Sequence, residues 1–166
     1  MLPKKVRPVL LILFAAGIVF FFYSKYRIAP DVKIAEMPFR NFNGSPLDLK
    51  MFEGKALLIN YWATWCPDCL KEMPSIVSAM NQCDTNSVVF LMVSDEPVEK
   101  INAYLAKHDY PMFFVRLEKR LQEFGINTIP TSYLYDAGGK EVFTKVGGAQ
   151  WDDPAMLNII NQVVEK

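Results

Sequence analysis

Two cysteines stand at the junction between an apolar segment and an amphipathic one. Cys66 and Cys69 follow residues 57–62, an almost uninterrupted apolar and aromatic run that is typical of a strand covered on both faces. After them, apolar residues recur at helical spacing as far as Met80. Pro67 suits the first helical position, where a missing N–H costs nothing. The sequence therefore predicts a buried strand that leads into a helix, with Cys66 at the helix N-terminus.

This placement indicates redox chemistry. Free backbone N–H groups and the positive end of a helix dipole stabilise a thiolate, and a cysteine placed there has its pKa lowered from about 8.5 towards ~3.5–7.5. Cys69 follows by three residues and lies on the same helix face. Its Cα is then expected within the roughly 4.4–6.8 Å of Cys66 Cα that a disulfide requires. The spacing predicts an exposed thiol that attacks and a buried thiol that resolves.

Two further residues bear on whether the cysteines bind a metal instead. A CxxC pair can also be half of a zinc site, and a structural zinc site needs four ligands. Cys83 is the third cysteine and His108 the single histidine, and neither stands at a familiar ligand spacing. The redox interpretation is therefore favoured. Cys83 is interpreted as an incidental thiol, with intermolecular or regulatory pairing as the alternative, and His108 as a surface residue.

The residues around the cysteines extend the pattern well beyond CxxC. The string from Asn60 to Pro74 reads NYWATWCPDCLKEMP and resembles the active site of the thioredoxin superfamily. It is most similar to that of the membrane-anchored TlpA/ResA-like thiol-disulfide oxidoreductases, and the resemblance covers roughly residues 36–166. It implies an α/β, thioredoxin-like fold in which helices flank a central mixed sheet, with a β-hairpin extension at the N-terminal side.

The periodicity of the remaining chain agrees with such a fold. Strands are predicted at residues 57–62, 88–93, 112–115, 131–135 and 141–146, and further helices at 97–107, 118–124 and 154–164. Strands that alternate with helices favour parallel βαβ units, and the turn at 136–140 indicates a hairpin near the end of the chain. Residues 39–49 are interpreted as two short strands around an Asn-Gly turn.

The resemblance assigns roles to three residues of the helix region and distinguishes one residue of the strand. Cys66 is expected to be the nucleophile and Cys69 the resolving thiol. Glu72, three residues after Cys69, is expected to tune the thiols and to relay protons, because a partly buried carboxyl has a raised pKa. The alternative is a plain surface glutamate. Asn60 stands where thioredoxin has a buried acidic residue and cannot ionise.

The resemblance also implies a substrate-binding surface. Trp65 and Pro67 flank Cys66 and are expected to contribute to it. Ile129 and Pro130 stand where the superfamily has its cis-proline loop, just before a strand. A cis bond there turns the chain sharply and leaves the preceding backbone free to pair with a bound peptide.

Asp68 stands between the two cysteines. A negative charge there disfavours a thiolate at Cys66 and so opposes the helix dipole. Because strong oxidants stabilise their thiolate form heavily, our hypothesis is a moderately reducing couple. The alternative is an ordinary solvated acidic residue in the first turn of a helix.

The N-terminal segment predicts a membrane anchor. Basic residues within 1–7 precede residues 9–23, which carry no charge. At 1.5 Å per residue that stretch spans about 22 Å, short of the ~30 Å hydrocarbon core, so its length fits a cleaved signal peptide equally well. No small-x-small cleavage site follows it. We therefore expect an uncleaved anchor at residues 1–28, a linker at 29–37 and a thioredoxin-like domain at 38–166.

The sequence thus predicts a single-pass protein of the cytoplasmic membrane that performs thiol–disulfide exchange on the extracytoplasmic (periplasmic) side. The resemblance implies disulfides of exported proteins as substrates, a membrane thiol-disulfide transporter as electron donor, and no cofactor. Apocytochrome c is a further implied substrate, although Thr131 stands where the branch dedicated to it usually has a glutamate. Eighteen acidic residues balance eighteen basic ones, which gives no indication of nucleic-acid binding.

Two other classes of protein on the same fold have different motifs. The alternative function is that of a copper-binding protein or metallochaperone, which usually needs CxxxC spacing and a distant histidine. A thiol peroxidase needs a Pro-x-x-x-Thr-x-x-Cys motif, which is absent from this sequence. Both alternatives are therefore less favoured than a dithiol oxidoreductase.

Overall fold

A mixed sheet of six strands lies at the centre of the computed structural model, which describes residues 6–27, 29–30 and 32–164. The strands are β1 (Phe39–Arg40), β2 (Ala56–Tyr61), β3 (Val88–Ser94), β4 (Phe113–Leu117), β5 (Thr131–Tyr135) and β6 (Glu141–Val146), and their spatial order is β1-β4-β3-β2-β5-β6. Strands β2, β3 and β4 are parallel, whereas β1, β5 and β6 each pair antiparallel. The predicted α/β fold with a mixed sheet is confirmed.

The helices are α1 (Val6–Arg27), α2 (Pro67–Gln82), α3 (Val98–Leu105) and α4 (Pro154–Val164), with short 3-10 turns at Ile34–Glu36, Leu49–Phe52 and Leu121–Phe124. Helix α4 has its predicted bounds, and Asp153 Oδ1 accepts a hydrogen bond from Ala155 N–H at 3.0 Å at its start. The helix predicted at 118–124 is only a 3-10 turn. It ends at Gly125, whose φ of 78° is the left-handed conformation that glycine adopts without a steric penalty.

Strand β2 has a core on each face. All six of its residues are buried, because α2 and α4 contribute to one core cluster and β1 and the 3-10 turns to the other. Alternate residues point to opposite faces, so Leu58 belongs to the first cluster and Ile59 to the second. Asn60 therefore points towards the face that α2 covers. A polar side chain at this completely buried position needs a partner there.

The predicted N-terminal hairpin is only partly formed. Its turn is present, since Gly44 N–H donates to Asn41 C=O at 2.9 Å. The returning segment makes a single bridge, between Arg40 and Pro46, rather than a strand. Pro46 has no N–H to donate to a ladder. Strand β1 instead pairs antiparallel with β4 at the edge of the main sheet, with Phe39 opposite Leu117.

The segment predicted to be a linker, residues 29–37, packs against the sheet. The Tyr133 hydroxyl donates to Pro30 C=O at 2.9 Å, and the Tyr61 hydroxyl donates to Met37 Sδ at 3.0 Å. Val32 and Met37 are buried in the second core cluster. The described part of this segment is therefore attached to the domain, because its apolar residues complete the core. Residue 31 lies outside the described residues.

The predicted transmembrane helix is not supported. Helix α1 occupies most of the predicted anchor, and its residues 10–23 are all exposed and uncharged. Within the part of the chain that the structure describes, no helix combines the length and apolar character needed to cross a membrane. Residues 1–5 and 28 of the predicted anchor, like 165–166 of the predicted domain, lie outside the described residues.

Met37→Ala tests whether residues 29–37 belong to the domain. Because the side chain is buried, we expect the free energy of unfolding to fall by about 2–5 kcal/mol in urea titrations. Met51→Ala is the matched control, since Met51 is exposed and its loss should cost less than about 0.5 kcal/mol. Equal, small effects of the two substitutions would show that the segment is a free linker after all.

Candidate active site

The N-terminus of α2 holds both cysteines of the motif. Cys66 is the residue that caps the helix, and its Sγ accepts a hydrogen bond from Cys69 N–H at 3.2 Å. Pro67 occupies the first turn, as predicted. A disulfide joins Cys66 to Cys69, with their Cα atoms 5.3 Å apart, inside the predicted range. The two cysteines are thus placed for reversible disulfide formation.

Cys66 and Cys69 differ less in solvent exposure than predicted. Cys69 is completely buried, but Cys66 is only 4% exposed rather than open to solvent. Both belong to the core cluster that also contains Trp62 and Met73, which accounts for the burial of Cys66 in the oxidised protein. The limited exposed surface of the disulfide therefore belongs to Cys66.

Glu72 lies on α2, three residues after Cys69, and is 4% exposed. Its Oε1 accepts a hydrogen bond from Asn60 Nδ2 at 2.7 Å. Its Oε2 accepts one from Ala149 N–H at 2.9 Å and one from Trp151 Nε1–H at 3.3 Å. Burial raises the pKa of the Glu72 carboxyl, the three hydrogen bonds lower it in part, and the charge of Asp68 adds to the rise. Glu72 is therefore a buried carboxyl that takes up a proton more readily than a surface glutamate.

Asn60 joins this carboxyl to the sheet. Its Nδ2 donates both to Glu72 Oε1 and to Ser132 Oγ, the latter at 2.8 Å. Asn60 Oδ1 is buried and has no hydrogen-bond partner among the described residues. The sequence marks Asn60 only as a position without charge. The structure shows instead that it is a donor to Glu72.

Two residues of α2 fix the loop between β6 and α4. Besides the bond from Ala149 N–H to Glu72, Trp151 N–H donates to Ser75 Oγ at 3.1 Å. The same loop reaches the proline of the predicted substrate-binding surface, because Gly147 N–H donates to Pro130 C=O at 2.8 Å. Nothing in the sequence predicts the contacts of this loop. Backbone donors carry no side-chain signal, and Trp151 lies 79 positions after its partner Glu72.

The Ile129–Pro130 peptide bond is cis, as predicted. Pro130 is buried and Ile129 is half-buried against both core clusters. Thr131, the next residue, pairs with Tyr61 in the ladder between β5 and β2. Pro130 therefore lies at the same end of the sheet as the turn that leads from Tyr61 to Cys66.

Trp65 and Pro67 are the exposed residues on either side of Cys66. The Trp65 side chain is 67% exposed, more than any other large apolar side chain described between residues 32 and 164. Trp62, three residues before it, is completely buried and packs against Tyr104 and Phe114, with ring centroids 5.5 Å apart in both pairs. Of these two tryptophans, only Trp65 is placed to contact another molecule.

A cavity of about 350 Å³ borders the Glu72 carboxyl. It is lined by Asp68, Lys71, Glu72, Gly148, Ala149 and Gln150. Its rim is polar, with one acidic and one basic side chain from the outer face of α2. The cavity therefore gives water a route to a carboxyl that is otherwise enclosed.

Cys83 and His108 do not lie together with the disulfide. Cys83 is a free, half-buried cysteine at the end of α2, and burial raises the pKa of its thiol. His108 is exposed and stacks on Tyr110, with ring centroids 5.4 Å apart. Among the residues that the structure describes, no three His, Cys, Asp or Glu side chains form a group that could hold a metal ion.

The chain is similar to a known protein family and to proteins named as thiol-disulfide oxidoreductases. A family model described as the AhpC/TSA family matches residues 27–143. Thiol-disulfide oxidoreductase ResA of Bacillus cereus (strain ATCC 10987 / NRS 248) is 25% identical over 157 residues, which cover 87% of each chain. Sporulation thiol-disulfide oxidoreductase A of Bacillus subtilis (strain 168) is 29% identical over 101 residues, or 57% of this chain and 61% of that protein.

The fold is also similar to that of solved structures. A thiol:disulfide interchange protein of the thioredoxin family from Chlorobium tepidum TLS superposes with a TM-score of 0.58 at 24% identity. The superposition covers 81% of this chain and 99% of that one. At this level of identity the similarity shows a shared fold.

The raised pKa of Glu72 makes stability depend on pH. The folded protein binds the carboxyl proton more tightly than the unfolded chain, whose ordinary pKa is about 4.5. The contribution to stability is therefore complete below the unfolded pKa and is lost as the pH rises through the folded one. In urea unfolding of the oxidised protein between about pH 4 and 8, we expect wild type to lose stability relative to Glu72→Gln as the pH rises.

The control for this measurement is Glu99→Gln, which removes an exposed carboxylate. Its stability should run parallel to that of wild type over the same range. Parallel curves for wild type and Glu72→Gln would mean that Glu72 titrates alike in the folded and unfolded states.

Proposed function

Since this chain belongs to the AhpC/TSA family of thioredoxin-like proteins and is a thiol-disulfide oxidoreductase, we propose that it works as a reductase of disulfide bonds in exported proteins. The resemblance to ResA-like oxidoreductases noted from the motif is confirmed by the curated relatives. The observation that carries the proposal is the Cys66–Cys69 disulfide at the N-terminus of α2, with a buried carboxyl on the same helix.

In the first step the reduced protein attacks its substrate. The Cys66 thiolate displaces one sulfur of the substrate disulfide, so that a mixed disulfide forms and one substrate thiolate leaves with the electron pair of the broken bond. In the oxidised structure Cys69 N–H donates to Cys66 Sγ at 3.2 Å. In the reduced protein the same N–H, together with the helix dipole, stabilises the Cys66 thiolate before it attacks. Cys66 is the attacking residue because it has the exposed surface of the pair.

In the second step Cys69 resolves the mixed disulfide. Its thiol loses a proton, attacks Cys66 Sγ and releases the second substrate thiolate, which leaves the protein oxidised and the substrate reduced by two electrons. Glu72 lies one helical turn after Cys69, and its raised pKa suits it to accept that proton. The polar cavity beside Glu72 then connects the carboxyl to solvent.

Substrate binding is assigned to the surface around Cys66. Trp65 and Pro67, the neighbours of Cys66 in the chain, offer exposed apolar surface. The loop with Ile129 and Pro130 lies at the same end of the sheet and provides a second wall. A disulfide-bearing segment of a substrate protein held between them would present its sulfur atoms to Cys66. Apocytochrome c is one candidate substrate among exported proteins.

We also propose that the protein works at the outer side of the cytoplasmic membrane. The support is α1, whose residues 10–23 are exposed, apolar and uncharged. Such a surface is stable only when lipid or another apolar surface covers it. Held there, the domain receives electrons from a membrane thiol-disulfide transporter, which returns Cys66 and Cys69 to the dithiol state by the reverse exchange.

Reduction of insulin by the protein with a dithiol donor tests the activity. We expect Cys66→Ser to lower the rate to the uncatalysed level, because the attacking thiolate is lost. Cys69→Ser should still attack but should accumulate the mixed disulfide, which non-reducing electrophoresis detects. Cys83→Ser is the matched control and should retain the wild-type rate.

Three results would contradict this function. Full activity of Cys66→Ser would exclude the proposed nucleophile. A reduction potential of the Cys66–Cys69 couple as oxidising as about −120 mV, the value of strong oxidants, would contradict the reducing direction. Tight stoichiometric binding of copper without any disulfide reduction would favour the metallochaperone alternative.

Cell fractionation tests the location. We expect wild type in the membrane fraction, and expect the double substitution Leu11→Lys, Phe14→Lys to shift it to the soluble fraction, because a charge costs about 2.5–3.5 kcal/mol inside a bilayer. The double substitution Met51→Lys, Val142→Lys, at two exposed positions outside α1, is the control and should leave the distribution between the fractions unchanged. A C-terminal alkaline phosphatase fusion, active only outside the cytoplasm, should be active; an inactive fusion would place the domain inside.

A further inference from the structure

A second buried carboxylate holds the turn in front of the cysteines. Glu96 is 6% exposed, and both of its oxygens accept hydrogen bonds from the same residue. Thr64 N–H donates to Oε2 at 2.6 Å, and the Thr64 hydroxyl donates to Oε1 at 3.0 Å. One side chain thus fixes both the backbone and the side chain of Thr64.

The parallel sheet explains why these two residues meet. Strands β2 and β3 are neighbours that run in the same direction, and the pairing continues past β2 because Trp62 N–H donates to Val93 C=O at 2.9 Å. The segments that leave the two strands therefore emerge side by side at the carboxyl edge of the sheet. Glu96 stands just after β3, and Thr64 stands just after β2.

The residue that follows Thr64 is Trp65, the most exposed large apolar side chain described between residues 32 and 164, and Cys66 comes next. The turn is short, with Cys66 N–H donating to Ala63 C=O at 3.1 Å, so fixing Thr64 fixes the backbone on which Trp65 is carried. Exposed tryptophans often supply much of the binding energy of an interface, provided that they are held rigidly.

We propose that Glu96 is a positioning residue for substrate recognition, which holds Thr64 so that Trp65 presents a preformed docking surface beside Cys66. The inference rests on the proposed function, because it assumes that protein disulfides dock at Trp65. Glu96 is proposed to act through Thr64 and not by touching the substrate. A small disulfide reaches Cys66 without needing this surface, whereas a protein substrate needs it.

Substitution of Glu96 by glutamine tests whether the contact with Thr64 depends on its geometry or on the charge of Glu96. In Glu96→Gln the amide oxygen accepts from Thr64 N–H, and the amide N–H donates to the Thr64 hydroxyl oxygen, so both contacts remain without the charge. In Glu96→Ala both are lost. Glu99→Ala removes an exposed glutamate three positions away and is the matched control.

The experiment measures the reduction of insulin and of the small disulfide 5,5′-dithiobis(2-nitrobenzoate) by each variant. We expect Glu96→Ala to raise KM for insulin about tenfold while kcat changes less than about twofold, because ground-state docking is lost and the chemistry is not. The rate with the small disulfide should stay at the wild-type value. Glu96→Gln should restore KM for insulin, and Glu99→Ala should match wild type throughout.

Three outcomes would overturn the inference: an unchanged KM in Glu96→Ala, equal impairment of the alanine and glutamine variants, or equal slowing of insulin and the small disulfide. If Glu96→Ala does not fold, Thr64→Val replaces it. It loses only the hydroxyl contact and should raise KM for insulin, whereas Thr64→Ser should not, and equal KM values for these two variants would likewise overturn the inference. A wild-type protein that reduces neither substrate would contradict the proposed function itself, which distinguishes the two failures.

Discussion

The hydrogen bond between Asn60 Nδ2 and Glu72 Oε1, 2.7 Å long, joins the central strand to the helix that carries the cysteines. Both groups are almost completely enclosed, and a carboxylate is stable in such surroundings only where donors replace the water it has lost. The contact therefore fixes how α2 sits over β2. Since Cys66 and Cys69 lie on the first turn of that helix, their position relative to the sheet depends on the same bond.

Glu72 combines two opposed influences on one proton. Burial favours the neutral acid, whereas donors from a side-chain amide, a backbone N–H and an indole N–H favour the anion. Neither influence alone would suit the proton relay that we propose for Glu72. Burial without donors would hold the acid form, and donors at a solvated site would hold the anion. The pairing of α2 with the loop before α4 keeps the two in balance, and that loop also contacts Pro130.

Most of the fold could be predicted because its signals are local. The apolar run of β2, the helical spacing after Cys69 and the turn between β5 and β6 each lie within a few residues. The disulfide followed from spacing, and the cis bond before Pro130 from the motif. The hairpin at residues 39–49 was predicted from its turn, which did form, but pairing of β1 with β4 depends on a partner more than seventy residues away.

The missed parts of the site are contacts between distant residues. Ala149 contributes a backbone N–H, and a backbone donor cannot be predicted from the residue type. In the sequence Glu96 is one of several acidic residues near the start of a helix. The burial of Met37 depends on Tyr61 and its neighbours in the second core cluster, not on the composition of residues 29–37. The predicted membrane span is not supported by any helix among the described residues.

The indole of Trp151 touches the same carboxylate oxygen that accepts from Ala149, and its ring is buried. Indole fluorescence responds to a charge placed beside the ring nitrogen. We therefore expect the emission maximum of Trp151 to shift when Glu72 gains or loses its proton. Trp65, in contrast, lies in water, where soluble quenchers reach it. If Glu72 relays a proton as proposed, the emission of Trp151 would report that transfer, and quenching of Trp65 would report contacts made at the exposed surface.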